Sequence, residues 1–203
     1  MDKRAKTRQH IIESTAELFN KKGFAGTSMA DITQATGLTK GSVYGNFKNK
    51  DEVATAVFLH NYQLIVEGIA AELKPRNSPL DKIYGYVAFY RREYQMMFLK
   101  GGCPLLNTAM DADDTHPLLA EQAKMVLGKW KKHLIRLVEK GQEAGEIDPE
   151  TVPNRFAMMM ISLLEGGIAM AKASGDHSYL FHAFEEIELR IREMSLIPVS
   201  GTS

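Results

Sequence analysis

Residues 27–44 of this chain have the sequence TSMADITQATGLTKGSVY. Thr27 or Ser28 can cap a short helix whose apolar positions are Met29, Ile32 and Ala35. Gly37 interrupts the helical pattern, and Thr39 can cap a second short helix directly after it. The stretch therefore predicts two short helices that meet at a tight turn.

This pattern is typical of a helix-turn-helix, in which apolar residues fix the second helix while its polar residues face outward. The inward positions are filled by Ile32, Gly37, Leu38 and Val43. The outward positions are filled by Thr39, Lys40, Ser42 and Tyr44. In a helix-turn-helix such outward side chains enter the major groove of DNA. A helical hairpin in any all-α protein could imitate the pattern, so the surrounding charge has to be weighed with it.

The net charge of the chain is zero, but the charges are unevenly distributed. Residues 1–50 contain nine basic and four acidic side chains, a net charge of +5, and the remaining residues carry −5. A positive segment favours contact with a polyanion, because phosphate neutralisation is the main sequence-independent source of affinity for nucleic acid. An ordinary solvated surface would explain the charge alone equally well.

The rest of the chain follows a helical period without the alternation typical of strands, so we expect an all-α fold. A long helix is predicted from about residue 50 to 74. Further helices are predicted at about 80–98, 116–144, 153–173 and 177–196. The stretch 99–115, between the helices predicted at 80–98 and 116–144, is interpreted as a loop because it contains glycines and a proline.

The composition excludes several classes of protein. An apolar content of 44% is sufficient for a core and argues against a disordered chain. A single cysteine excludes an internal disulfide framework and favours a reducing compartment. The sequence has neither a signal peptide nor an apolar run of ~20 residues, so we expect a cytoplasmic protein without a membrane span. No cofactor is expected.

The N-terminal part of the chain resembles the TetR family of transcriptional regulators, closely so over residues 8–58. The family's signature is matched in order and spacing by IIESTAELF (11–19), GF (23–24), TSMADI (27–32), GLTKGSVY (37–44) and FKNKDE (47–52). Beyond residue 60 the resemblance is one of helix number and length. It implies a three-helix DNA-binding domain at 1–50, joined by a long helix to a helical ligand-binding and dimerisation domain at 51–198. A flexible tail is expected at 199–203.

The resemblance also implies roles for individual side chains in a complex with a palindromic DNA operator. The candidates are Lys40, Gly41 and Ser42 at the groove-facing start of the recognition helix, Ser28, Thr39, Tyr44, Lys48 and Lys50 on the DNA backbone, and Asn46. Gly45-Asn46 departs from the bulkier residues often found in the family, which removes one contact. The alternatives are a core position for Tyr44 and solvated charge for Lys48 and Lys50.

A two-fold dimer binds two half-sites about 34–36 Å apart, so we expect a homodimer. The last two helices are the candidates for its interface. One face of each helix could form a four-helix bundle with a second copy. The same faces could instead pack only the core of one chain. The residues concerned are Phe156, Met160, Leu163, Gly167, Met170, Phe184, Ile187, Ile191 and Met194.

The middle helices carry aromatic and sulfur-containing side chains that suit an adaptable pocket for a small, largely apolar or aromatic effector. The candidates are Tyr62, Tyr86, Phe89, Tyr90, Met97, Trp130 and Met159, together with Cys103 in the predicted loop. An ordinary core would use the same side chains. The resemblance implies that a bound effector tilts the long helix, spreads the recognition helices and so releases the operator from a repressor.

Other interpretations stay open. Within the same fold, Cys103 could sense electrophiles or oxidants. The acidic cluster of residues 111–116 could bind a hard cation through Asp111, Asp113, Asp114 and His116, although loop charge and helix capping would explain it as well. A small α-helical enzyme lacks an evident nucleophile, base and orienting group together. A protein-interaction module would leave the basic segment unexplained.

Overall fold

The structure, a computed structural model, describes residues 2–197. This part of the chain contains nine α-helices and an isolated β-bridge between Ile147 and Ser195. The all-α prediction is therefore confirmed, and the tail predicted at 199–203 lies outside the described residues. The helices are α1 (Lys3–Lys22), α2 (Met29–Thr36), α3 (Lys40–Tyr44), α4 (Lys50–Leu73), α5 (Pro79–Leu99), α6 (Pro104–Ala112), α7 (Pro117–Glu143), α8 (Pro153–Ser174) and α9 (Ser178–Glu193).

The helices belong to two compact units. The first unit comprises residues 2–66 and 97–126, and the second comprises residues 67–96 and 127–197. Helices α1, α2, α3 and α6 lie in the first unit, and α8 and α9 lie in the second. The domain boundary predicted after residue 50 stays a prediction, and the first unit extends beyond it.

The head, defined as residues 2–50, is built on one face of α1. Ile11, Thr15 and Phe19 are spaced four residues apart and are buried on this face. Burial of a hydroxyl is tolerated at Thr15 because Oγ1 donates to the carbonyl of Ile11 at 2.7 Å. Ile32 of α2 and Val43 of α3 are also buried in this unit, at 0% and 1% exposed. Of the apolar positions that defined the helix-turn-helix pattern, Ile32 and Val43 thus lie in its core, whereas Met29 and Leu38 are half-buried and Ala35 is exposed.

Capping residues and a glycine determine where the two short helices begin and where α2 ends. Ser28 caps α2 through a capping box with Asp31, in which each residue accepts a backbone N–H of the other. Gly37 ends α2 in the left-handed conformation, with φ at 68°, which is the conformation that glycine adopts without steric cost. Thr39 caps α3 by accepting the N–H of Ser42 at 3.2 Å. Of the two caps considered for α2, Ser28 is therefore the one in use.

The prediction of a loop across residues 99–115 is wrong for residues 104–112, which form helix α6. Pro104 occupies the first turn of that helix, where a missing N–H has no intrahelical partner to lose. The proline therefore begins a helix here instead of breaking one. Gly101 and Gly102 form the preceding turn, with φ values of 102° and 93°.

Helix α8 is long and apolar enough to cross a membrane, judged by length and a mean hydropathy of 1.4 over its most apolar window. However, 44% of that window is buried inside the protein, and α8 packs along α9 within the second unit. A core helix meets the same criterion, so the composition of α8 is weak evidence for a membrane span.

Helices α8 and α9 lie close together at Gly167. A Cβ atom at this position would lie 2.9 Å from the Cβ of Ala183 and 3.2 Å from the Cα of Leu180. The second of these neighbours is backbone, which cannot move aside without shifting a helix. The glycine therefore permits the close packing of the pair.

Replacing Gly167 with alanine should lower the free energy of unfolding by roughly 1–3 kcal/mol, because the added methyl group overpacks the α8–α9 contact. The matched control is Gly128→Ala, since a Cβ at Gly128 would meet no atom within 4 Å. This control should raise stability by up to about 1 kcal/mol through helix propensity. Urea denaturation at a fixed protomer concentration distinguishes the two variants, and a Gly167→Ala protein as stable as the control would contradict the packing argument.

Candidate nucleic-acid interface

Helix α3 presents exposed side chains on a firmly held base. Val43 and Phe47 are 1% and 2% exposed and anchor the helix and its end in the head. Tyr44 is 44% exposed, and the ammonium of Lys40 lies 5.9 Å from the centroid of its ring. A core position for Tyr44 is therefore excluded. The other candidates on this surface are exposed or half-buried: Thr39, Gly41 and Ser42.

Arg8 of α1 fixes the end of α3, a role that the sequence analysis did not assign. Its guanidinium lies 3.9 Å from the centroid of the Phe47 ring and donates to the carbonyl of Asn46 at 2.8 Å. It also pairs with Glu52 of α4 at 2.9 Å. The N–H of Lys48, followed by Arg8, lowers the pKa of the Glu52 carboxyl below its usual value. Arg8 thus joins α1, the end of α3 and the start of α4.

The two lysines predicted to bind phosphates have different environments. Lys48 is exposed, whereas the ammonium of Lys50 donates to the carbonyls of Phe24 and Thr27 at 2.9 and 3.0 Å. The Lys50 ammonium also lies 4.0 Å from the centroid of the Phe24 ring. A phosphate would have to compete with these internal partners of Lys50. The phosphate contact of Lys50 therefore stays a prediction that its geometry does not favour.

Ser28 and Asn46 also have internal partners. The Ser28 hydroxyl accepts the N–H of Asp31 at 3.1 Å. A bond from Lys22, followed by those from Ser28, lowers the pKa of Asp31 below its usual range. The side-chain amide of Asn46 donates to the carbonyl of Ser42 at 2.9 Å, and its oxygen is buried without a partner among residues 2–197. Contacts of Ser28 and Asn46 with DNA stay predictions.

Helix α6 is hydrogen-bonded to the end of α1 within the first unit. The carboxylate of Asp111 accepts the N–H of Phe24 at 2.6 Å. The amide of Asn107 donates to the carbonyl of Asn20 at 3.1 Å. Gly23 has φ at 73°, and a Cβ there would lie 2.9 Å from the Asp111 carboxylate. The loop between α1 and α2 is thus held both by α6 and by the first residue of α4.

The acidic cluster of residues 111–116 has structural roles at two of its members. Besides the contact of Asp111, Nδ1 of His116 accepts the N–H of Leu119 at 3.1 Å and caps α7. Nε2 of His116 lies 3.5 Å from the Asp51 carboxylate, and its ring packs edge-on against Phe24. Within residues 2–197, no group of three or more His, Cys, Asp or Glu is arranged to hold a metal ion. Capping of α7 therefore explains the presence of His116 in this cluster.

Two models of known protein families match this chain. Residues 11–57 match the family model described as bacterial regulatory proteins, tetR family. Residues 79–187, more than half of the chain, match the tetracyclin repressor-like C-terminal domain. The chain belongs to the TetR family. It is therefore a DNA-binding transcriptional regulator and not an enzyme.

Similar TetR-family proteins cover almost the whole chain. A regulator from Cytophaga hutchinsonii is 41% identical, with a TM-score of 0.92 and coverage of 98% of this chain and 99% of that chain. A regulator from Chloroflexus aurantiacus is 34% identical, with a TM-score of 0.90 and coverage of 96% and 98%. The HTH-type transcriptional repressor DhaR of Mycobacterium sp. (strain GP1) is 25% identical over 171 residues, which cover 83% of this chain and 84% of DhaR.

The effector candidates of this TetR-family chain are divided between the two units. Tyr62, Met97 and Cys103 lie in the first unit. The second unit contains Tyr86, Phe89, Tyr90, Trp130 and Met159. Their roles in ligand binding stay predictions.

Three of the aromatic candidates of the second unit, Phe89, Tyr90 and Trp130, form a contiguous cluster. The rings of Tyr90 and Trp130 are nearly parallel, at 26° and 6.3 Å between centroids, and Phe89 packs edge-on against Tyr90 at 5.3 Å. The indole nitrogen of Trp130 is buried and has no acceptor among residues 2–197. A buried N–H without an acceptor is costly, so a bound group that accepts this hydrogen bond would be favoured.

Most residues predicted for the dimer interface are buried within a single chain. Phe184, Ile187 and Ile191 are each 0% exposed, so in this structure they face the core and not a second copy. The same holds for Phe156, Met160, Gly167 and Met194. Of the predicted set, Leu163 is half-buried and Met170 is 50% exposed. These two line an open groove of about 630 Å³ on α8 and α9, together with Gly166, Tyr179 and Leu189.

Cys103 is 4% exposed and immediately precedes α6. A reactive sensor cysteine needs access to its reagent and a cationic environment. Burial to this degree removes the access, so the structure does not favour the thiol-sensing alternative.

Substituting Lys50 and Lys48 separately by methionine tests the different environments of the two lysines. Both changes remove one positive charge and keep an unbranched stem. Lys50→Met should lower the free energy of unfolding by about 1–3 kcal/mol, because two carbonyls of the α1–α2 loop lose their charged donor. Lys48→Met should change it by less than about 0.5 kcal/mol, as is usual at the surface. Equal stabilities of the two variants in urea denaturation would contradict the internal role of Lys50.

Proposed function

We propose that this TetR-family regulator is a cytoplasmic repressor that binds a palindromic operator as a homodimer and is released by a small apolar or aromatic effector. The observation that carries the proposal is the exposed surface of α3, which is held rigidly on a buried base. The repressor DhaR, whose name describes its action, supports repression as the mode of control.

The charge and shape of the head support DNA binding. Lys40 and Tyr44 project from α3 together with the short polar side chains of Thr39 and Ser42. A short helix with small polar residues can approach base edges closely, and cations nearby neutralise phosphates. The net charge of +5 on residues 1–50 supplies the sequence-independent part of the affinity.

The groove on α8 and α9 supports a homodimer. Met170 and Tyr179 are each 50% exposed in it, and a Cβ at Gly166 would meet no atom within 4 Å. An exposed apolar surface around a small residue allows a second pair of helices to approach. Two copies related by a two-fold axis would present two recognition helices to the two halves of a palindrome.

The aromatic cluster of the second unit supports a planar or aromatic effector. Phe89, Tyr90 and Trp130 are buried against one another, so an effector would insert between these rings, and the indole N–H of Trp130 would donate a hydrogen bond to an acceptor on it. Helix α4 is continuous from Lys50 to Leu73, and its first residue holds the α1–α2 loop. An effector that binds more tightly to a state with spread recognition helices lowers the affinity for DNA by that difference.

Selection of bound DNA from a random pool should yield a palindrome that the wild-type protein binds in a salt-dependent manner. Tyr44→Ala should weaken binding to the selected duplex on the order of tenfold, because a backbone contact is lost at an exposed site. Tyr44→Phe separates the roles of the ring and the hydroxyl. Recovery of no enriched sequence, or unchanged affinity of Tyr44→Ala across a salt titration, would count against the proposal.

Sedimentation at about 10 µM should show a dimer for the wild type and a monomer for Met170→Glu, because the new carboxylate would be desolvated in the interface. The matched control is Met110→Glu on α6, where the methionine is 74% exposed and lies outside the groove. This control should remain dimeric. A monomeric wild type, or a Met170→Glu protein as dimeric as the control, would refute the proposed interface.

A further inference from the structure

A second feature of the head lies beside the recognition surface. The N-terminus of α1, the end of α3 and the start of α4 enclose a cleft of about 410 Å³. Tyr44 belongs both to the wall of this cleft and to the exposed surface of α3. The lining residues are Asp2, Arg4, Ala5, Arg8, Tyr44, Asn46, Phe47, Lys48 and Glu52.

The three cations that line the cleft differ in whether they form ion pairs within the protein. Arg8 is engaged with Glu52, with the carbonyl of Asn46 and with the ring of Phe47, so it forms a fixed wall. Arg4 and Lys48 line the same cleft, and neither has an ion-pair partner among residues 2–197. Both side chains are exposed and can therefore turn toward a ligand.

We propose that this cleft binds a phosphodiester group of the DNA strand that borders the groove occupied by α3, with Arg4 and Lys48 as its cations. The inference rests on the proposed function, and it adds Arg4 and a defined anion site to the head. A guanidinium matches the geometry of a phosphate with two parallel N–H groups, and an ammonium adds a point charge. The tyrosine hydroxyl at the same wall supplies a further donor.

Continuity with the recognition surface favours a DNA strand over an acidic peptide as the occupant. Tyr44 is shared by the cleft and by α3, so a duplex seated on α3 brings its sugar-phosphate chain past the cleft. Asp2 at the lining opposes the anion and reduces the local positive charge. Removal of this carboxylate should therefore strengthen binding, which provides a test of opposite sign.

The experiment measures binding of the full chain to a 30-base-pair duplex of mixed sequence over a series of salt concentrations. This probe reports phosphate contacts and does not require the operator. Arg4→Ala is compared with Lys6→Ala, a matched loss of one positive charge at an exposed residue of the same helix that does not line the cleft. Thermal melting should be unchanged in both variants, because neither side chain supports the core.

Arg4→Ala should weaken binding by about threefold or more and reduce the slope of log affinity against log salt by about 0.9 per bound protomer. Lys6→Ala should change both quantities much less, and Asp2→Asn should raise the affinity. If the wild type binds the duplex but Arg4→Ala behaves like Lys6→Ala, the cleft is not a phosphate site while the proposed function stands. If the wild type does not bind the duplex even at low salt, the proposed function fails and this inference fails with it.

Discussion

A helix of five residues cannot be stable by itself, and this constraint governs the whole head. Helix α3 forms because neighbouring groups make hydrogen bonds at both of its ends and apolar side chains anchor its inner face. Thr39 caps its start, Val43 and Phe47 anchor it, and Arg8 binds the carbonyl that follows it. These contacts leave its outer side chains without a packing role, which is the condition for presenting a rigid surface to DNA.

The α1–α2 loop likewise depends on hydrogen bonds from side chains of other helices. Lys50 satisfies two carbonyls of this loop, and Asp111 satisfies one N–H. Because Lys50 begins α4 and Asp111 lies on α6, the position of the helix-turn-helix depends on residues well beyond it in sequence. The compact unit that contains the head accordingly includes residues 51–66 and 97–126. A change in α4 or α6 would be transmitted to the loop through three hydrogen bonds.

The sequence predicted what local chemistry decides. The cap residues Ser28 and Thr39 and the break at Gly37 follow from side-chain and backbone preferences within a few residues. Helix α6 was missed because proline and glycine mark both the end of one helix and the start of another. Its nine residues were too few to establish a periodic pattern against that signal.

Features that depend on distant partners could not be predicted. Lys48 and Lys50 are equivalent in sequence, and only the folded positions of Phe24 and Thr27 distinguish the exposed lysine from the hydrogen-bonded one. The apolar stripe of α9 likewise shows that a face is buried, but not whether its own chain or a second copy buries it. Phe184 and Ile187 face the core of their own chain. The same limit applies to Arg8, whose partners lie 38 or more residues away along the chain.

In the proposed operator complex, α3 enters the major groove and a two-fold dimer presents it twice. Dimethyl sulfate methylates guanine at N7, an atom exposed in the major groove, so its protection on a selected duplex measures this claim directly. We expect two clusters of protected guanines whose centres lie about 10–10.5 base pairs apart, or a multiple of that spacing. A single cluster, or a tightly bound duplex whose guanine N7 atoms all stay reactive, would contradict it.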